Sequence, residues 1–381
     1  MIRITDKSRC TGCTSCMTAC PVQCIVMRRD RQGFDYPVAN PDICISCGKC
    51  ESVCPVINPH EEKTPLAAFA VRVPEYVSGS SSGGVFPYLA GKVIEDGGCV
   101  FGAAMQSDMT VGHTDVSDLQ GLESLRGSKY VQSDMYSAYQ EVKDVLEDGR
   151  KVLFSGTPCQ VAGLHSFLGK RYEGLMTVDV ACHGVPSPGL WEKYIEALKD
   201  KYGGRVTGVC FRDKSKSWRH YEFRVDTVGK SISVPYTDDP YMALFIQDMT
   251  LRPSCYSCPA GAGKSASDVT LADLWNIAGT GLPLNDDKGV SLVLANTEDG
   301  LRALEGMDLY KTDYEIASAG NGGFEPVKEI PPRREEFFQG YHSARDLMAY
   351  MKGFVIRKPW YMRIYRKMRS CLSDFKRRIS R

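Results

Sequence analysis

Nine of the sixteen cysteines in this 381-residue chain fall before residue 55, at positions 10, 13, 16, 20, 24, 44, 47, 50 and 54. In a short secreted chain such density signals a disulfide scaffold, but this chain is long and its first residues, Met1–Lys7, lack the apolar core of a secretory signal. The thiols therefore read as metal ligands in a reducing compartment, and the chain is expected in the cytoplasm. No apolar run approaches the ~18–20 residues of a membrane-spanning helix. Hydrophobic content of 43% and charged content of 24% are ordinary, which excludes wholesale disorder or a fibrous repeat. A net charge of +1 gives no global pull toward nucleic acid or membrane.

The spacing decides which metal. Cys10-x-x-Cys13-x-x-Cys16-x-x-x-Cys20-Pro21 is followed by Cys44-x-x-Cys47-x-x-Cys50-x-x-x-Cys54-Pro55. Each run fits the bacterial ferredoxin pattern, in which three close thiolates wrap one cubane and the fourth reaches the other cluster. By that rule Cys10, Cys13, Cys16 and Cys54 hold one [4Fe-4S] cluster, and Cys44, Cys47, Cys50 and Cys20 hold a second. Gly12 and Gly48 supply the backbone freedom that the tight ligand loop needs. Pro21 and Pro55 are expected to stop the short helix carrying the fourth ligand. Zinc is the bland alternative, but its motifs come as separated pairs rather than a doubled run of four. Cys24 reads as a small buried residue beside a cluster.

The polar, proline-flanked stretch Asn58–Pro65 reads as a linker. Beyond it, strands are expected over 66–73, 99–105, 152–155 and 176–181, alternating with helices over 84–95, 137–147, 158–168 and 188–202. That alternation argues for an α/β body with a largely parallel sheet. Segments 206–212, 221–226 and 231–235 look like hairpin strands, so the second half is mixed. The expected architecture is an α+β ferredoxin-type head over 1–60, an α/β body in parts 66–150 and 151–330, and a basic helical tail over 335–381.

Three loops carry the chemistry of the body. Ser78–Gly84 is a glycine- and serine-rich turn feeding a helix amino terminus, a common but unspecific phosphate-binding arrangement. In Ser155-Gly156-Thr157-Pro158-Cys159, Thr157 suits an N-cap and Pro158 the first helical position, which puts Cys159 in the first turn, where the helix dipole favours a thiolate. Cys182 closes a strand and is followed by the cap Ser187-Pro188. Both cysteines fall at carboxyl ends of strands, where open parallel sheets bind ligands. With the loop pair Cys255-x-x-Cys258 they make four thiols, enough for a third [4Fe-4S] cluster. A redox-active Cys159, or a zinc or dithiol site at Cys255 and Cys258, stands as the alternative. Cys99, Cys210 and Cys371 read as inert.

Five ordered motifs resemble the coenzyme F420 hydrogenase/dehydrogenase beta-subunit family: Ser80–Leu89 (SSSGGVFPYL), Arg126–Ser133 (RGSKYVQS), Leu153–Leu164 (LFSGTPCQVAGL), Val178–Pro188 (VDVACHGVPSP) and Arg252–Trp275 (RPSCYSCPAGAGKSASDVTLADLW). The resemblance spans roughly 66–330. It implies a flavoprotein holding FAD beside a [4Fe-4S] cluster and passing electrons between iron–sulfur centres and a two-electron organic carrier. The name-giving carrier is the deazaflavin F420; a relative reduces a chlorophyll hydroxymethyl group, so the family does not fix the substrate. The resemblance assigns Gly79, Ser80, Ser81, Ser82, Gly83 and Gly84, with Gly127, Ser128, Lys129 and Tyr130, to FAD, and places Gly156 and Thr157 nearby. It also makes Cys159, Cys182, Cys255 and Cys258 the ligands of the family cluster. An ammonium at Lys129 near the flavin would stabilise its anionic reduced form, against the reading of a solvated lysine. His183, beside Cys182, is a candidate proton donor, against a structural role. The name-giving hydrogenase subunit lacks the ferredoxin head carried here, which points to a ferredoxin or similar low-potential carrier as electron partner.

Residues 357–381 hold ten Lys or Arg against the single acid Asp374, leaving a net −8 on residues 1–356. With Trp360, Ile364, Met368, Leu372, Phe375 and Ile379 at helical spacing, this stretch reads as a basic amphipathic helix for docking at a membrane surface, at the inner face of the membrane, or on a partner protein. The plainer reading packs the stripe on the body. No recognition motif accompanies the charge, which argues against nucleic acid. The expected activity is one-electron loading of the head clusters and two-electron, hydride-type chemistry at FAD on an organic substrate, F420 among the candidates. The rival is an electron-transfer subunit of a larger redox complex with no substrate site of its own.

Overall fold

A computed structural model describes residues 1–261, 264–324 and 328–356; the basic segment 357–381 lies outside the described residues. In the head, the hairpin of β1 (Ile25–Arg29) and β2 (Asp35–Ala39) stands beside two single-turn helices, Ser15–Thr18 and Lys49–Ser52. Those helices carry the third cysteine of each run, Cys16 and Cys50; the fourth, Cys20 and Cys54, lies just past the helix end rather than on it. Gly12 and Gly48 have φ of +72° and +76°, the left-handed region that the curled ligand loop demands.

The body is built on an eight-stranded sheet of β3 (Ala67–Val71), β4 (Cys99–Met105), β5 (Val111–Val116), β6 (Val152–Gly156), β7 (Leu175–Val180), then β11 (Val269–Asp273), β12 (Ser291–Ala295) and β13 (Leu309–Lys311). The strand order is β13-β3-β12-β11-β7-β6-β4-β5. Between β7 and β11 the chain leaves the sheet to form an antiparallel meander, β8 (Val206–Asp213), β9 (Glu222–Thr227) and β10 (Lys230–Pro235).

The expected largely parallel sheet is corrected. Only β4, β6, β7 and β11 run parallel, and antiparallel pairs flank them on both sides. Hydrophobic runs such as Val152–Phe154 report burial on two faces, which parallel and antiparallel strands share when both faces are covered. Side chains of β6 alternate accordingly. Leu153 enters one buried cluster with Val85 and Leu89 of helix Val85–Glu95, while Val152 and Phe154 enter another with Val161 and Leu164 of helix Pro158–Leu168.

The largest core cluster joins head to body. Phe34, fully buried, and Tyr36 belong to it with Trp191, Tyr194, Phe211 and Tyr241. Fully burying a Phe is worth roughly 1.5–3 kcal/mol, so the hairpin is anchored by its own aromatic side chains. The described part of the expected tail forms helices Arg334–Gly340 and Leu347–Phe354, whose Phe337, Phe338, Met351 and Phe354 enter the same cluster. The stripe Trp360–Ile379 lies outside the described residues. Among the described residues no helix is long and apolar enough to cross a membrane.

Candidate functional site

The head cysteines ring two small cavities. One is lined by Cys10, Cys13, Cys16 and Cys54, with Ile2, Ile4 and Met27 around them. The other is lined by Cys20, Cys44, Cys47 and Cys50, with Cys24 and Ile45. The fourth cysteine of each run thus lines the cavity of the other run. Among the described residues no group of three or more His, Cys, Asp or Glu is close enough together to hold a single metal ion. Burial pushes the Cys10 and Cys16 thiols up, and in Cys16 the neighbouring Cys13, Cys10 and Cys54 push further in the same direction. Four such thiolates need a compensating cationic centre between them. Backbone N–H groups point at sulfurs lining these cavities: Ile2 donates to Cys50 Sγ and Cys24 to Cys20 Sγ, each at 3.3 Å. Cys24 is buried with its sulfur 3.5 Å from that of Cys20.

The two cavities differ in setting. Around the second, Cys47 is exposed, and Ile45 is 61% exposed. The first faces the body. Ser15 donates to the Gly163 carbonyl at 2.8 Å, and a Cβ on Gly163 would lie 3.0 Å from the Cys13 Cβ. Only glycine lets helix Pro158–Leu168 approach the ligand loop this closely.

That same helix brings in the second set of cysteines. Thr157 and Gln160 form a reciprocal capping box at its start, as Thr157 was expected to do, and Cys159 sits in the first turn with its sulfur 3.2 Å from Thr157 Oγ1. Cys159 interacts electrostatically with Cys258, Cys182 and Cys255, and Cys182 with Cys255 and Cys258, so the four thiols converge. The Cys182 turn lies against the other pair: a Cβ on Gly184 would come 3.2 Å from the Cys255 Cβ. At Cys159 the helix dipole works against burial. Burial dominates and holds its thiol well above the ordinary range; the Cys255 thiol is pushed up to about 11 for the same reason. Cys99 is buried against β6, while Cys210 is part-buried on β8.

A cleft of about 390 Å³ opens at the carboxyl ends of β6, β7 and β11, where open α/β sheets place their ligands. Its wall includes Ser80, Ser81, Ser82, Gly84, Gly127, Ser128, Lys129, Tyr130, Gly156 and Thr157, and it reaches Cys182 and His183. Gly79 and Gly83 stand off the cleft: Gly79 packs on the Arg126 guanidinium and Gly83 on Val71 and Ser291. The serine loop is tied to its partner segment by Ser81 Oγ, which accepts from the Ser128 N–H at 2.8 Å. Helix Val85–Glu95 begins at Gly84 with no side-chain cap, leaving its first N–H groups open at the cleft wall.

Lys129 donates to the carbonyls of Ser124 and Arg126, both at 2.9 Å, at the end of helix Leu119–Leu125. Its side chain lines the cleft, and burial lowers its pKa to about 7. His183 Nε2 lies 2.8 Å from an Asp248 carboxylate oxygen, and its ring stands edge-on to Phe245. The direction of that contact is off a hydrogen-bond line, and both atoms lack another partner.

Several wall residues escaped the sequence reading. Arg212 and Asp273 form a buried pair beside the stacked rings of Trp218 and Trp275, whose centres are 4.8 Å apart. Arg126 lines the cleft with its Nε buried and unpartnered. Lys214 donates to the Ser82 carbonyl at 2.7 Å; burial and the nearby cations Arg212, Arg72 and Arg126 lower its pKa to about 8. The ADLW run ending at Trp275 was visible, but nothing in it announced an ion pair with a residue sixty positions earlier.

Residues 149–316 match the family described as coenzyme F420 hydrogenase/dehydrogenase, C terminus of the beta subunit, and residues 9–58 match the 4Fe-4S dicluster domain. Residues 149–316 therefore carry the C-terminal part of the coenzyme F420 hydrogenase/dehydrogenase beta subunit. The chain's head is an iron–sulfur electron-transfer domain. The head is similar to the 7Fe ferredoxin of Hydrogenibacillus schlegelii, 45% identical over 53 residues, which are 14% of this chain and 62% of that protein. It is also similar to ferredoxin-1 of Caulobacter vibrioides, 42% identical over 14% of this chain and 42% of that protein. An uncharacterized ferredoxin of Methanocaldococcus jannaschii is 40% identical over 13% of this chain and 77% of its own length. The chain thus spans less than two thirds of the first two relatives, and those matches concern the head alone. Among solved structures, a chain from the F420-reducing [NiFe] hydrogenase complex of Methanosarcina barkeri aligns with 78% of this chain and 98% of its own, at 16% identity and a TM-score of 0.47.

Proposed function

We propose that this chain is an FAD-dependent iron–sulfur oxidoreductase that relays single electrons through three [4Fe-4S] clusters to a flavin in the cleft. The observation that carries the reading is the continuity of helix Pro158–Leu168. Its first turn bears Cys159 of the body quartet, and one turn on, Gly163 touches the ligand loop of the inner head quartet. Four residues of helix rise only ~6 Å. The body quartet in turn abuts the cleft through Cys182. The outer head quartet, with exposed Cys47 and Ile45, is the natural port for a ferredoxin-like carrier.

The cleft fits FAD by its donors. A phosphate-rich ligand finds the uncapped helix start at Gly84, the hydroxyls of Ser80 and Ser81, and the unpartnered Arg126 Nε. FAD when bound converts one-electron traffic into two-electron transfer to an organic substrate. Lys129 holds a proton-bearing nitrogen at the wall, fixed by two carbonyls, and with a pKa of about 7 it is poised to give or take that proton at neutral pH. His183 orients on Asp248 at the body-quartet end. A reducing, cytoplasmic setting suits a chain that uses this many cysteines as cluster ligands. F420 is one candidate substrate, because the family name carries it. Anaerobic purification with iron, sulfide and flavin quantification tests the reading. Three cubanes require about twelve iron per chain, with one FAD; about eight iron would remove the body cluster, and absent flavin would overturn the enzyme.

A further inference from the structure

Arg252 lies where the head meets the body and is 1% exposed. Its donors reach the Cys10 carbonyl at 2.7 Å, the Asp35 carbonyl at 2.9 Å, Gln132 Oε1 at 2.9 Å and Cys10 Sγ at 3.8 Å. No carboxylate is among those partners. Aromatic faces complete the shell, with Tyr36 at 4.2 Å and Phe34 at 5.5 Å from the guanidinium carbon. Gly12 of the ligand loop packs on the same group: a Cβ there would come 2.8 Å from Arg252 Nη1. Burying a cation among neutral partners costs several kcal/mol unless an anion stands close. The anion at hand is the Cys10 sulfur in its ligating, thiolate form.

The backbone of Arg252 belongs to the other quartet. Its carbonyl accepts from the Cys255 N–H at 2.9 Å, and its N–H donates to the Val185 carbonyl at 3.0 Å, three residues past Cys182. One side chain therefore spans from the turn holding Cys255 to the sulfur of Cys10. Among the described residues the outer quartet has no equivalent. The cation near it, the Met1 ammonium, is already paired with Glu51 at 3.2 Å at the surface.

We infer that Arg252 is the built-in counter-charge of the inner head cluster, holding its reduction potential up so that electrons settle there before crossing to the body. The inference rests on the proposed reading of Cys10, Cys13, Cys16 and Cys54 as cluster ligands. In the step concerned, the outer cluster, reduced beforehand by a low-potential one-electron carrier, loses one electron and the inner cluster gains it. The inner cluster with its thiolates becomes more negative by one charge, and the fixed guanidinium stabilises that state without any proton moving. Net charge and hydrogen bonds to the sulfurs are recognised levers on cluster potential.

The test is an EPR-monitored redox titration of the full anaerobic chain, with the inner cluster assigned by its loss in Cys54→Ser. Arg252→Met is expected to weaken electron uptake by the inner cluster at least about tenfold, a fall of about 59 mV for one electron, with the outer cluster unmoved. Arg252→Lys, which keeps the charge, should recover most of the shift; a merely structural role would not grade this way. Gln132→Glu neutralises the guanidinium without removing it and should move the same cluster in the same direction, which decides the matter if Arg252→Met fails to assemble. Fully loaded variants with unmoved midpoints would overturn the role of Arg252. A wild-type head without iron would instead overturn the cluster reading beneath it.

Discussion

Replacing Asp273 by Asn isolates the buried charge on the cleft wall. The side chains of Arg212 and Asp273 are 4% and 16% exposed; Nη1 donates to Oδ2 at 2.5 Å and Nη2 to Oδ1 at 3.2 Å. Trp218 Nε1 donates to the same Oδ1 at 3.1 Å, and the Arg212 guanidinium lies 5.1 Å from the Trp275 ring centre. At an effective dielectric of about 20, two charges this close attract by on the order of 5 kcal/mol, and desolvation of both groups offsets most of it. The intact pair therefore adds little net stability, whereas Asp273→Asn leaves the guanidinium buried without a counter-ion and should cost about 3–5 kcal/mol. Lys214, whose ammonium Asp273 also favours, adds to the penalty. Denaturant unfolding followed by the fluorescence of the stacked Trp218 and Trp275 reads the loss at the site itself. The double variant Arg212→Met with Asp273→Leu removes both charges and should recover most of it. A single variant within about 1 kcal/mol of wild type, or a double variant no better than the single, would refute the reasoning.

Gly163→Leu drives a side chain into Ser15, Tyr139 and Cys13 and should cost about 1–3 kcal/mol by overpacking, while Gly91→Ala, whose nearest neighbour is 3.7 Å away, should gain up to about 1 kcal/mol from helix propensity; thermal unfolding orders the two. Lys129 has a folded-state pKa of about 7 against an ordinary 10.5. The unfolded chain therefore binds the extra proton between those values, and stability rises with pH across that window. Lys129→Met should remove that part of the slope, and unfolding midpoints at pH 7, 8 and 9 that track wild type in parallel would contradict it. Cys24→Ser should leave the iron content unchanged, since Cys24 packs beside Cys20 rather than completing a quartet; loss of about four iron would make it a ligand.

The head was legible because a cluster needs its ligands at fixed short spacings, and Cys10–Cys20 and Cys44–Cys54 display them along the chain. Caps at Thr157 and Ser187 were legible for the same local reason: each acts within three residues. The sheet was read as more parallel than it is, since a run such as Ser291–Ala295, buried throughout, records coverage and not direction. Arg126 and Arg252 open two of the resemblance motifs but carried no role there, and Arg212 was silent in the sequence. Each owes its role to partners brought from far along the chain, and an arginine in isolation looks like any surface cation.

The proposed function requires a path from three thiolate-bound clusters to a two-electron group in the cleft. Anaerobic reductive titration of the purified chain counts the electrons it accepts. Three one-electron clusters and one flavin should take up about five per chain, with bleaching at flavin wavelengths; uptake of three or fewer, with no flavin bleaching, would contradict the account.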